Sequence, residues 1–238
     1  MNRLFFIPVL FAFCFASAQE NTQSGLQTIN VYDSDNISIS YNPSITEVYK
    51  IPVGELKNTD PLYPYDEYSA EDIKMIRTKT DIHSAKEYIV VYSDLPSGDP
   101  HYIFYSTSKP AEMLFSIPGE KIFIPGDGYV YSRGHSNNTI EARKKYRITD
   151  NGLTEVKQPY YYSGLKSKAL IDLRLFDSED LKNETGTIPA GTEVQILLKK
   201  DDTELYLIMG PYGITGWIDA GMTGIMPTVI EGLYYAGD

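Results

Sequence analysis

Cysteine, tryptophan, histidine and basic charge are all scarce in this chain. The single cysteine, Cys14, sits in an apolar N-terminal stretch, so neither a disulfide framework nor a cysteine-based zinc site can be assembled. Three histidines, His83, His101 and His135, are too widely spaced to pair across one helical turn, and no His-Glu-x-x-His occurs. A helical zinc site therefore has no ligands. Lys plus Arg total 21 against 32 Asp plus Glu, a formal net charge of −11. That balance argues against nucleic acid as a partner and against attachment to anionic lipid by charge alone. The longest apolar run, Leu4 to Phe15, has 12 residues, short of the roughly 20 that a membrane-spanning helix needs. No transmembrane segment is expected in the mature chain.

Tyrosine, by contrast, is abundant. Twenty tyrosines stand against one tryptophan, and tyrosine favours half-buried β surface. The hydrophobic share of 42% over 238 residues is enough for at least one sizeable core in one or two domains.

Met1-Asn2-Arg3 is a short cationic start, the apolar run follows, and Ala16-Ser17-Ala18 supplies small residues at the −3 and −1 positions of a cleavage site. Residues 1–18 read as a signal peptide cleaved before Gln19, and the product as periplasmic or extracellular. Cleavage would remove Arg3 and Cys14, leaving a more acidic chain with no cysteine. Residues 19–26 are small and polar, a loose leader.

From residue 27 the pattern is mostly β. Ile37, Ile39 and Tyr41 alternate with Ser38 and Ser40, the period of a half-buried strand. Ser69 and Asp72 resemble a capping box before Ile73, Met75 and Ile76, which predicts one short helix over 70–78. After Tyr88, short aromatic and β-branched runs alternate with Pro/Gly turns, and Asn151-Gly152 marks a hairpin. Residues 27–164 thus read as an antiparallel β-sheet or sandwich domain. Arg143-Lys144-Lys145 is the only cationic run. Its members would alternate faces in a strand, which predicts edge-strand gatekeepers rather than a phosphate-binding stripe. Asp33-Ser34-Asp35-Asn36 reads as an acidic turn, since Ser38 and Ser44 stand where a calcium loop needs Gly and Glu.

Past Tyr160-Tyr161-Tyr162-Ser163-Gly164 the rhythm changes. Ile171-Asp172-Leu173-Arg174 opens a strand, and a loop runs from Leu175 to Glu184. Gly186 to Val194 then carries Gly-Thr turns, and Leu205-Tyr206-Leu207-Ile208 is another strand. Gly213-Ile214-Thr215-Gly216-Trp217-Ile218 closes the series. In this order, residues 166–221 resemble a bacterial SH3-like (SH3b) domain. The resemblance implies a small β-barrel over 165–222 and an exported module for peptide or cell-wall contact. Two positions depart from the family pattern: Leu175-Phe176-Asp177 replaces Ser-Gly-Pro, and Leu205 replaces a tryptophan. Residues 223–238 read as a tail packing on the barrel or on the first domain.

The fold class expected is therefore all-β, a sheet or sandwich followed by a small barrel. The function expected is non-enzymatic binding or scaffolding in the bacterial envelope, with peptidoglycan or an envelope protein as partner and no cofactor or metal. Ligand contacts are expected from Tyr206, Tyr212 and Trp217, aromatic residues near Gly turns, and from His135 in a polar loop between strands. Two alternatives stay open. One is a hydrolase of cell-wall or carbohydrate polymers using loop carboxylates such as Asp94, Asp99 and Asp127, which would have to converge in space. The other is a barrel that serves only as a structural cap.

Overall fold

A computed structural model describes residues 25–31, 36–52, 72–93, 99–108, 112–149 and 152–237. The expected signal peptide, the calcium-like turn at 33–35, Ser69 and Asp94 lie outside these. The fold is all-β. Among the described residues eleven strands build the first unit: β1 (Gln27–Asn30), β2 (Ser38–Tyr41), β3 (Thr46–Pro52), β4 (Asp72–Thr78), β5 (Tyr88–Ser93), β6 (His101–Ser106), β7 (Met113–Pro118), β8 (Lys121–Ile124), β9 (Tyr129–Gly134), β10 (Ala142–Thr149) and β11 (Gly152–Glu155). They form two sheets. One has the order β1-β2-β8-β9-β10-β11, and the other is the meander β3-β4-β5-β6-β7. All pairs are antiparallel except β2 with β8.

The sheets face each other as a sandwich. Ile39, Tyr41, Ile122, Ile124, Val130 and Tyr146 from one share a core with Ile76, Tyr88, Val90, Tyr102, Phe104 and Ile117 from the other. The rings of Phe104 in this core and of partly buried Phe115 against it are stacked, with centroids 4.9 Å apart. Tyr102, fully buried on β6, reaches across the seam, and its hydroxyl lies 2.8 Å from the Ser38 carbonyl and 2.6 Å from that of Glu120. One proton shared between two backbone acceptors ties the layers together, and burial pushes the tyrosine pKa far up.

The helix expected over 70–78 is instead strand β4. Ile76 enters the sandwich core, while Ile73 and Met75 join Val91, Ile103 and Tyr105 in a second buried cluster on the other face of the meander. A strand buried on both faces loses its polar alternation, and a short apolar run then fits a helical spacing equally well. The gatekeeper expectation also fails. β10 is an inner strand between β9 and β11, so its cations do not guard an edge.

The second unit comprises β12 (Tyr160–Tyr162), β13 (Lys166–Lys168), β14 (Leu173–Phe176), β15 (Glu184–Ile188), β16 (Glu193–Lys200), β17 (Leu205–Met209) and β18 (Thr215–Asp219). The sheet order is β12-β16-β17-β18-β14-β15, with β13 also on β16. Inward residues Leu173, Leu175, Val194, Ile196, Tyr206, Ile208 and Ile218 make an aliphatic core, which Ile230 and Leu233 of the C-terminal segment complete. β12, placed by sequence in the first domain, belongs to this second sheet.

Candidate functional site

Strand alternation decides which aromatic side chains of the second unit can meet. On β17, Tyr206 pairs with Ile218 and Leu207 with Trp217. Tyr206 therefore points into the core with Ile218, and Trp217 points outward with Leu207. Tyr206 is fully buried, so the two do not share a surface. Tyr212 lies at the β17–β18 hairpin tip, fully exposed in the left-handed region at φ 63°. Trp217 lies two residue pairs further down that ladder.

Around Trp217 the outer face carries a row of rings. Tyr160 approaches with its centroid 5.9 Å from the indole, and Phe176 of β14 is the direct cross-strand neighbour of Trp217. Close strand approach makes this possible: a Cβ on Gly216 would stand 2.7 Å from that of Leu175. Beside the row, the loop after β14 supplies Glu179, which binds Lys200 at 2.5 Å and accepts from the Tyr160 hydroxyl. The Lys200 ammonium, and next the Tyr160 hydroxyl, hold the Glu179 carboxyl below its ordinary pKa. Asp180 is also held low, first by Lys182 and then by the Ser178 hydroxyl. Arg174 caps Phe176, 5.4 Å from its centroid. The result is an aromatic strip with an acidic margin. It offers apolar ring faces and fixed acceptors.

His135 sits elsewhere, on the seam between the units. Its Nε2 donates to the Tyr234 carbonyl at 3.1 Å, and its ring lies 4.8 Å from the Tyr234 ring. The loop it begins is a hub. Ser136 and Asn137 both donate to Asp99, at 3.0 and 2.8 Å, and Ala236 N–H donates to the Asn138 carbonyl. The Thr139 hydroxyl lies 2.6 Å from that of Tyr206. Lys199 donates to Thr139 at 2.9 Å, and Tyr206 donates to Glu204 at 2.8 Å. Burial raises the Tyr206 pKa strongly. A cleft of about 550 Å³ opens beside this network, walled by Lys144, Glu155, Lys157, Lys199, Asp201 and Glu204. Its cations are already matched: Lys144 by Glu155, Lys157 by Asp201 and Asp202, and Lys199 by Glu204.

No Ser-His-acid relay forms at the hub, because Ser136 bonds Asp99 directly while His135 faces a backbone carbonyl. Asp127 bonds Tyr131 in the turn before β9, whereas Asp99 holds the loop after β9. The six residues of that strand set the two carboxylates about 20 Å apart along the sheet. Among the described residues no three His, Cys, Asp or Glu gather as a metal site, and no helix is long and apolar enough to cross a membrane. Sequence reasoning missed Tyr160, Phe176 and Glu179 as neighbours of Trp217. Two of them carry a signal in the sequence: the tyrosine triplet, whose first and third members fall on one face of β12, and the acidic cluster Asp177, Glu179 and Asp180 in the loop after β14. Comparison with protein-family models, curated proteins and solved structures finds no match to this chain.

Proposed function

We propose that the protein is an exported, non-enzymatic binding or scaffolding protein of the bacterial envelope. In this reading its second unit is an SH3-like module that contacts peptide or cell-wall polymer. The observation that carries it is the outward row Tyr160, Trp217 and Phe176 beside the acidic loop. Half-exposed aromatic side chains contribute large contact area at little entropic cost, so a few of them dominate the energy of a small interface. The order of strands along β14 to β18 also matches the series on which the SH3b resemblance rests. Tyr160 comes from β12, which pairs with β16, so the strip is built within the second unit.

The test is co-sedimentation with purified peptidoglycan and titration of Trp217 fluorescence with soluble muropeptides. By co-sedimentation, binding should weaken about tenfold in Trp217→Phe and in Tyr160→Ala, on the order of 1–2 kcal/mol, with melting little changed. Absence of binding to both materials would overturn the reading and leave the second unit as a structural cap.

A further inference from the structure

The outer face of the first sheet gathers cations that the linear sequence scatters. Cross-strand register sets Lys121 of β8 opposite Arg133 of β9, and Arg133 opposite Arg143 of β10. The next row is Phe123, Tyr131 and Lys145, and the row after it pairs Tyr129 with Arg147. Arg143, Lys145 and Arg147 alternate with the buried Tyr146 of the core, so all three project outward. The triplet Arg143-Lys144-Lys145 does split between faces, but Arg147 and the neighbouring strands rebuild a stripe that sequence spacing could not reveal.

Three cations side by side in one row cost stability, because like charges directly opposite on a sheet repel. Glu141 offsets part of this, 2.5 Å from Arg133 and 3.7 Å from Arg143. Among the described residues no carboxylate pairs with Lys121, Lys145 or Arg147. Five of the 21 basic residues of a chain with net charge −11 thus share one face, at whose edge Arg143 also lies 4.7 Å from the Tyr162 ring. Strand geometry spaces them about 4.8 Å apart across strands and about 6.6 Å apart along β10.

We propose that this face is a docking surface for an acidic polysaccharide whose sugar rings carry carboxylates. Charge complementarity names a polyanion, and the flat two-dimensional spread of cations suits an extended chain better than a small anion. The ring faces argue for sugar over nucleic acid. Lys145 lies 3.7 Å from the Tyr129 centroid and Arg147 5.1 Å from it, so the ring that a base would stack on is already covered by cations. Uronate carboxylates need only the ammonium and guanidinium groups, and their hydroxyls can use the tyrosine hydroxyls at the margin.

The experiment is affinity electrophoresis and calorimetry of the full chain with alginate. Neutral dextran, single-stranded DNA and phosphatidylglycerol vesicles serve as alternatives. Alginate should bind and the other three should not, and raising salt to 1 M, where screening acts over about 3 Å, should abolish it. R143Q/K145Q/R147Q should weaken alginate binding at least tenfold. K166Q/K168Q on β13, which removes two cations from the second unit, should not change it, nor should Trp217→Phe, which touches only the aromatic strip. Folding of each variant is checked by its far-ultraviolet β signal and its thermal melting, and the salt response of the unaltered chain stands whatever a variant does. No alginate binding at low salt, binding that survives 1 M salt, equal loss in both charge variants, or tighter binding of DNA or vesicles would overturn the proposal.

Discussion

The two units of this protein each bury a tyrosine whose hydroxyl crosses a seam, and the partners differ. In the sandwich Tyr102 meets two backbone carbonyls, those of Ser38 and Glu120. Between the units Tyr206 meets side chains, Thr139 and Glu204, which are in turn bound by Lys199 and Thr223. A carbonyl in a sheet is fixed by the ladder around it, whereas a side-chain network can titrate, rearrange and be disconnected one member at a time. The sandwich layers are thus joined through backbone acceptors, while the joint between sandwich and second unit runs through side chains. The cleft and the His135 hub lie along that joint.

The largest effect that would break this contrast is expected at Tyr102. Tyr102→Ala empties the centre of the sandwich, and should cost about 3–5 kcal/mol by urea unfolding, the range for a fully buried aromatic side chain. A loss below 1 kcal/mol would mean that the layers are not joined there. The joint between units calls for a gentler change. Tyr206→Phe keeps the ring and removes the hydroxyl, with an expected cost of about 1–2 kcal/mol. Combined with Thr139→Val, it should show a coupling of at least 0.5 kcal/mol in a double-mutant cycle. Strict additivity would show that Thr139 and Tyr206 do not act together across the seam.

The same contrast explains what could be read from sequence. Period-two runs such as Ile37-Ser38-Ile39-Ser40-Tyr41, and the Gly/Pro turns after Tyr88, marked strands correctly because one face was apolar and the other polar. β4 was misread because both of its faces are buried. Of the aromatic strip Trp217 was legible, beside Gly216, whereas Tyr212 beside Gly213 stands at the hairpin tip outside the row. Tyr206 was assigned to the surface because an aromatic residue in a short strand gives no sign of its facing until its partner is known. Here that partner is Ile218. Tyr160 and Glu179 meet through pairing of β12 with β16 and through a loop contact, both long-range events. The cationic face is of the same kind, since register across three strands made it.

The smallest expected effect, in acid, sharpens the comparison. The aromatic strip is steadied by Glu179, whose pKa is lowered by Lys200 and Tyr160, whereas the Tyr102 seam rests on carbonyls that do not titrate. A carboxyl with a lowered folded pKa contributes stability that is complete above its unfolded value, near 4.3, and is lost as pH falls through the folded value. Lowering pH from 6 to 3 should therefore release Tyr160 from the loop before the sandwich opens. The sole tryptophan reports this directly, because the Tyr160 ring lies 5.9 Å from Trp217. A reversible change in Trp217 emission below pH 4.5, with the far-ultraviolet β signal intact, is the expected result. In Glu179→Gln that step should vanish, because the amide cannot titrate. The contact is exposed and screened by salt, so the shift should be small and should shrink further in 1 M salt. If the step persists unchanged in Glu179→Gln, another group controls the strip and the assignment of Glu179 is wrong.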